Sequence, residues 1–294
     1  MIRILADYHH SILWEAFSIL FIDRAVLGPA ELWALDPRWP VDREWRTAAN
    51  GISEAEAVRQ PWDYVIGTAP QFRARCRDIA ERTGATYVDQ CGNEWDDPIG
   101  ETVLWSRTPT TDTEGVTYHP EFHRLPFTLP EPRFRLTVKA YNSGLRTQPC
   151  IALWKQVSAL LPEMRWRIHG EDDPCQPPDV AASRRDSGFA WVDKIADGYG
   201  FAVHEAFASG RVVMGHNHYG GKIAGPLWVD GETCLTFTDD AEVAAARIQK
   251  LVNDPARHAA MCRAAYDRFT AVVDFDREAG EVADYLHRAR LGKP

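Results

Sequence analysis

The residues best placed to do chemistry run from Asp197 to Glu205, Asp-Gly-Tyr-Gly-Phe-Ala-Val-His-Glu. A carboxylate opens the run, a Gly-x-Gly turn follows at Gly198, Tyr199 and Gly200, and a second carboxylate closes it. Phe189-Ala190-Trp191-Val192 precedes and Ala206-Phe207-Ala208-Ser209-Gly210 follows, so the turn reads as a strand-to-helix junction. A helix start presents amide hydrogens without intrahelical acceptors and the positive end of a dipole, which suits a phosphate. The bend alone is a weak signal, because ordinary strand-to-helix turns use glycine in the same way. Carboxylates beside an anion site can accept hydrogen bonds from sugar hydroxyls. A nucleotide-sugar carries both kinds of group in one molecule.

Holding such a site takes alternating strands and helices. Residues 2–7 read as a short buried strand, and Ser11 as N-cap of a helix over 12–24 with Ile12, Leu13, Ala16, Phe17, Leu20 and Phe21 at helical spacing. Strands are expected near 30–35, 62–67 and 86–88, a loop over 36–50, and a helix over 71–83 stopped by Gly84. The stretch 118–132, rich in proline and aromatics, marks a domain joint. A second series follows: strand 134–139, helix 149–161, strand 164–169, a weakly structured stretch to 187, strand 189–192, helix 200–209 and strand 211–215. Helices over 238–253, 255–269 and 276–290 complete it. This alternation predicts parallel α/β sheets in two domains, 1–128 and 129–294, with the last helix able to cross back.

The chain has 294 residues, enough for two cores, and 45% of them are hydrophobic. Lys and Arg number 33 against 42 Asp and Glu, a net charge of −9 that gives no global attraction to nucleic acid or an anionic membrane. No apolar run reaches the roughly 18 residues of a membrane span, and the first residues read as a strand, so a cytoplasmic location is expected. Six cysteines without a CxxC pair read as buried free thiols. His119 and His123 have helical metal spacing, but Pro120 argues against a helix there, and no metal site is expected.

Past the turn the chain continues Glu205-Ala206-Phe207-Ala208-Ser209-Gly210-Arg211-Val212-Val213, then Gly220-Gly221-Lys222 and Asp230-Gly231-Glu232-Thr233-Cys234-Leu235. Over residues 134–290 this order resembles the C-terminal half of the GT-B retaining glycosyltransferases of the family-4 type. Their pattern is Glu, seven residues, Glu, with Gly-Phe-Gly inside, then Glu-Ala-Met-Ala-x-Gly-x-Pro-Val and Asp-Gly-Glu-Thr-Gly-Leu. The resemblance implies an α/β fold of the GT-B kind, two Rossmann-like domains facing each other across a cleft. It implies transfer of a hexose from a nucleotide-diphosphate sugar to an acceptor hydroxyl with retention, UDP-glucose being the default donor. Glu205 would then hold the ribose hydroxyls and Asp197 the donor-sugar hydroxyls, with the backbone of Gly198, Tyr199, Gly200 and Phe201 at the diphosphate. Asp197 stands where the family has Glu, one methylene longer. The family neutralises the leaving diphosphate with an Arg and a Lys after the first strand of this domain. Lys139 and Arg146 bracket that loop at a different spacing, and Lys194 is a third candidate; a solvated surface cation is the competing reading for each. The nucleotide-sugar is a substrate, and no cofactor is expected.

In the first half, Asp7-Tyr8-His9-His10 and Gly92-Asn93 follow strands, at the edge where open α/β sheets bind ligands. Asp7, His9, Gly92 and Asn93 are candidate acceptor-binding residues and His10 a candidate catalytic one. A helix cap with exposed histidines is the competing reading. Together with Trp14-Glu15-Ala16-Phe17, this opening resembles, more loosely, phage-encoded glycosyltransferases that act on hydroxymethylated pyrimidines of DNA. That implies DNA as acceptor, in a host cytoplasm. Arg73, Arg75, Arg77, Arg107, Arg124, Arg133 and Arg135 are candidates for its groove, or solvated arginines without one. The alternatives are a polysaccharide, lipid or protein acceptor, or a non-catalytic nucleotide-sugar-binding protein. His216-Asn217-His218 reads as a polar loop or a further donor or acceptor contact.

Overall fold

The computed structural model describes residues 1–7, 11–36, 50–92, 96–109, 111–130, 136–139, 149–169, 185–193 and 198–292. The chain forms two compact units, Met1–Phe122 with Asp274–Pro294, and His123–Val273. The division falls after Phe122 rather than after residue 128. Packing of the connecting segment explains the difference. The Phe127 ring lies 4.8 Å from Tyr266 and 4.0 Å from the Arg263 guanidinium, all in the second unit. Thr128 accepts two hydrogen bonds from buried Arg211, at 2.8 Å on its carbonyl and 2.6 Å on its hydroxyl.

The first unit is built on a parallel sheet of seven strands: β1 (Ile2–Asp7), β2 (Ala30–Leu35), β3 (Asn50–Ile52), β4 (Tyr64–Gly67), β5 (Thr86–Cys91), β6 (Val103–Trp105) and β7 (Val116–Thr117). Their spatial order is β3-β2-β1-β4-β5-β6-β7, with Ile4 of β1 opposite Leu32 of β2 and Tyr64 of β4. All four residues of β4 are buried, the mark of a parallel strand covered on both faces. The helices of this unit are α1 (Ser11–Ser18), α2 (Glu54–Ala57) and α3 (Pro70–Thr83). Helix α1 runs on as a π-helical turn, Ile19–Asp23, so the expected helix over 12–24 is continuous but changes its winding. Pro70 opens α3, where its missing amide hydrogen costs nothing, and left-handed Gly84 closes it. The short strands β3, β6 and β7 and the helix α2 have no counterpart in the sequence pattern. Residues 37–49 of the expected loop lie outside the described residues.

The second unit repeats the plan with β8 (Leu136–Lys139), β9 (Trp166–His169), β10 (Phe189–Trp191), β11 (Val212–Gly215) and β12 (Cys234–Thr236), all parallel. Between them run α4 (Pro149–Leu160) and α5 (Phe201–Ala208), followed by α6 (Ala241–Val252) and α7 (Pro255–Val272). The order β12-β11-β10-β8-β9 reverses direction between β8 and β10. Its core gathers Leu153, Phe189, Trp191, Val212, Met214 and Ile248. Asp240 caps α6 by accepting from the amides of Glu242 and Val243 at 3.0 Å, and Asp254 caps α7 by accepting from Arg257 at 2.9 Å. Each such cap contributes about 1 kcal/mol.

The chain then returns to the first unit as α8 (Phe275–Arg290), started by Asp274. Its Val282 and Leu286 are 0% and 1% exposed and join Ile4, Ala6 and Tyr64 in one cluster. Burial of each is worth on the order of 2 kcal/mol. Polar ties fix the register: the Tyr64 hydroxyl donates to Leu286 O (3.2 Å), and Val103 N donates to the Tyr285 hydroxyl (2.9 Å). Glu278 accepts from His119 N at 2.6 Å and lies 3.0 Å from its Nδ1. Among the described residues, no helix is long and apolar enough to cross a membrane. Cys76, Cys91, Cys234 and Cys262 are buried free thiols.

Candidate functional site

In an open parallel sheet, ligands bind outside the carboxyl ends of the strands, beside the reversal of strand order. In the second unit that edge holds the ends of β8, β10 and β11 and the start of α5. Gly200 caps α5 at φ 73° and ψ 60°, a left-handed conformation that costs other residues about 1–2 kcal/mol. Its carbonyl accepts from Val203 N (2.9 Å) and His204 N (3.1 Å), which closes the first turn. Gly198, Tyr199 and Gly200 are buried, whereas Phe201, Ala202 and Glu205 are half-buried. The open face of α5 thus carries its first residues and Glu205 one turn later, while Val203, His204, Ala206 and Phe207 face the core.

The Tyr199 side chain is engaged in packing. It is 3% exposed, stacks on His204 at 4.1 Å and 6°, and meets the Phe201 ring edge-on at 4.6 Å. Any contribution of Tyr199 to a ligand is therefore one of backbone. Asp197 and Lys194 lie outside the described residues, as do Arg146, His9, His10 and Asn93. Lys139 ends β8 and is described by its backbone.

In the first unit, Asp7 ends β1 at 2% exposure. Its carboxylate accepts from the Thr68 amide and, at 2.8 Å, from the Thr68 hydroxyl. This ties the ends of β1 and β4, so Asp7 organises the strand edge rather than opening toward a ligand. Gly92 follows β5, its amide donating to Asp96 at 3.0 Å. Among the described arginines, two are turned inward and away from any DNA groove. Arg73 and Arg107 are 1% and 2% exposed. Arg73 pairs with Asp89 at 3.2 Å and donates to Asp97 O and Gln90 O at 2.8 and 2.9 Å. Arg107 donates to Asp96 O at 2.6 Å. Arg75 pairs with Asp36 and Glu54, and Arg77 with Glu81. Arg133 and Arg135 lie outside the described residues.

A cluster that the sequence reading did not assemble lies at the same edge of the second unit. Asp193, just past β10 and 2% exposed, faces His216 and His218, just past β11. His216 Nδ1 lies 3.0 and 2.9 Å from the two Asp193 oxygens, its amide donates to Oδ1 at 3.1 Å, and His218 Nε2 is 3.1 Å from Oδ1. Burial alone would raise the Asp193 carboxyl, but the hydrogen bond with His216 and the approach of His218 outweigh it and bring it down to about 2. The same bond raises His216. The motif His216-Asn217-His218 was visible in the sequence. Its partner was not, because the pairing depends on β10 lying beside β11.

No protein-family model matches the sequence, and no curated protein matches it. Solved structures do match in fold. Anabaena Alr3699/HepE in complex with UDP-glucose is similar at TM-score 0.70 and 11% identity, over 98% of this chain and 100% of that one. Sucrose-phosphate synthase from Thermosynechococcus elongatus is similar at TM-score 0.67 and 10% identity, over 100% of both chains. A glycosyltransferase from Rickettsia africae ESF-5 is similar at TM-score 0.67 and 12% identity, over 100% of this chain and 99% of that one.

Proposed function

We propose that this protein is a nucleotide-sugar-dependent glycosyltransferase of the GT-B kind. The second unit would bind the donor and the first the acceptor. One observation carries the reading: the fold is shared along 98% of the chain with a protein solved in complex with UDP-glucose. Gly200, which starts α5, and Glu205, one turn into it, are the donor-binding residues this reading proposes. UDP-glucose is the first donor to test.

In this mechanism the first-turn amides of α5 meet the diphosphate, where the helix dipole favours negative charge. Glu205, on the open face of that helix, accepts hydrogen bonds from the ribose hydroxyls. Asp197 does the same for the donor sugar. As the bond between the anomeric carbon and the phosphate oxygen breaks, negative charge grows on the leaving diphosphate. Lys139, Arg146 and Lys194 are the side chains proposed to meet it. The acceptor oxygen bonds to the anomeric carbon from the same face, and its proton passes to the departing phosphate oxygen, giving retention. His9, His10 and Asn93 are the proposed acceptor contacts, on a strand edge fixed by Asp7 and the Gly92 amide. The step uses no cofactor. The acceptor is a hydroxyl compound; burial of Arg73 and Arg107 disfavours the DNA reading.

The test is a thermal-shift and calorimetric titration with UDP, UDP-glucose, GDP-mannose and ADP-glucose. A ligand present at 100 times its Kd stabilises the fold by about 2.7 kcal/mol. The proposal expects one nucleotide class to raise the melting temperature in the wild type and to do so far less in Glu205→Ala. No shift with any nucleotide would refute the donor assignment. Tight binding with neither hydrolysis nor transfer would instead identify a non-catalytic binder.

A further inference from the structure

We propose that Asp193, His216 and His218 form a binding site for a divalent transition-metal ion. This departs from the sequence expectation of no metal, and it does not depend on the sugar-donor reading.

The three side chains come from the carboxyl ends of two adjacent parallel strands, one a buried acid and the others half-buried imidazoles. One ligand atom from each lies within 4.8 Å of the others. The carboxylate-to-imidazole separations are 2.9 and 3.1 Å. Ligands bound at about 2.1 Å to one ion stand roughly 3.0–3.4 Å apart, from the octahedral to the tetrahedral edge. The two carboxylate-to-imidazole edges therefore already have the length a coordination shell requires, and the third edge is within 4.8 Å.

Its orientation adds a second argument. His218 Nε2 is shielded from solvent and 3.1 Å from Asp193 Oδ1, yet it lacks the alignment of a hydrogen bond. Close approach without alignment is the arrangement of two ligands aimed at a shared third atom. Outer contacts fit as well. The His216 amide holds Asp193 Oδ1, and the exposed Asp239 carboxylate stands 3.2 Å from His216 Nε2. Such outer carboxylates typically orient metal-bound histidines. Two imidazoles and one carboxylate select borderline ions such as Zn²⁺ or Co²⁺ over Mg²⁺ and Ca²⁺, which prefer all-oxygen shells. Three protein ligands leave positions for water or an anion.

The experiment uses full-length, untagged protein, stripped with chelator and dialysed, with no nucleotide present. Co²⁺ is titrated while visible ligand-field absorption is recorded, then displaced with Zn²⁺; Mg²⁺ is titrated in parallel. The expected result is one equivalent of Co²⁺, displaced by Zn²⁺ and indifferent to Mg²⁺. The affinity should fall by at least roughly 10-fold in Asp193→Asn and in His218→Gln. If buried Asp193 proves necessary for folding, His218→Gln decides, checked by circular dichroism to be folded. Absence of stoichiometric Co²⁺ binding, or the same affinity and spectrum in folded His218→Gln, would overturn the site and leave a proton-sharing acid–imidazole cluster.

Discussion

Replacement of Arg73 by Met separates two roles that an arginine on α3 can have. A phosphate-binding arginine is solvated, and its loss weakens nucleic-acid binding without changing stability. Arg73 is instead 1% exposed, between Asp89 at 3.2 Å and Asp96 at 3.6 Å, with two main-chain acceptors, Asp97 O and Gln90 O. Removing one partner of a buried ion pair costs about 3–5 kcal/mol, because the other charge stays buried. Here Asp89 keeps the Tyr87 hydroxyl at 2.6 Å and the Ile99 and Gly100 amides at 2.7 Å, which places the cost near the lower end, about 3 kcal/mol. With a urea slope of about 3 kcal/mol per M, the midpoint of the first unit should fall by roughly 1 M. Urea unfolding followed by circular dichroism and by tryptophan emission reads this out even if the units unfold separately. Arg73→Met with Asp89→Asn should recover part of the loss, since one of the two orphaned charges is gone while that of Asp96 stays. An unchanged midpoint combined with lost DNA binding would refute the network reading.

Glu205→Ala should weaken the nucleotide that shifts the wild type by roughly 10- to 100-fold, the value of a charged hydrogen bond, with an unchanged melting temperature in its absence; equal titration curves would remove Glu205 from the donor site. Gly210 sits at φ 69°, and a Cβ there would lie 2.3 and 2.5 Å from two Phe127 ring carbons, so Gly210→Ala should cost about 2–5 kcal/mol in thermal unfolding; a loss below about 1 kcal/mol would contradict the close approach. His258, 1% exposed and 2.9 Å from Gly188 O, has its pKa lowered below 6.5 by burial. The unfolded chain then binds more protons below pH 6.5, so stability should fall as pH drops from 6.5 toward the folded value; His258→Gln should flatten that slope, and an unaltered slope would exclude His258 as its source.

The likeness to solved structures is one of chain path, at 10–12% identity, and the side chains at the strand ends carry the chemistry. That is why the proposed tests change single residues at that edge.

What the sequence determined by itself is local. Pro70 and Gly84 bound α3, the alternation of strands and helices implied parallel sheets, and the Gly200 bend was legible as a helix start, because caps, turns and periodicity act within a few residues. What only the tertiary structure decided is long-range. Arg73 belongs to a buried network rather than a basic groove, and Asp7 to a bond with Thr68, 61 positions away. Strands β6 and β7, three and two residues long, exist because their neighbours offer an edge to pair with. Asp193 meets His216 across 23 positions only because Trp191 and Met214 are in register on adjacent strands. The summed burial of a whole sheet and its covering helices sets that register, and no short window of residues contains it.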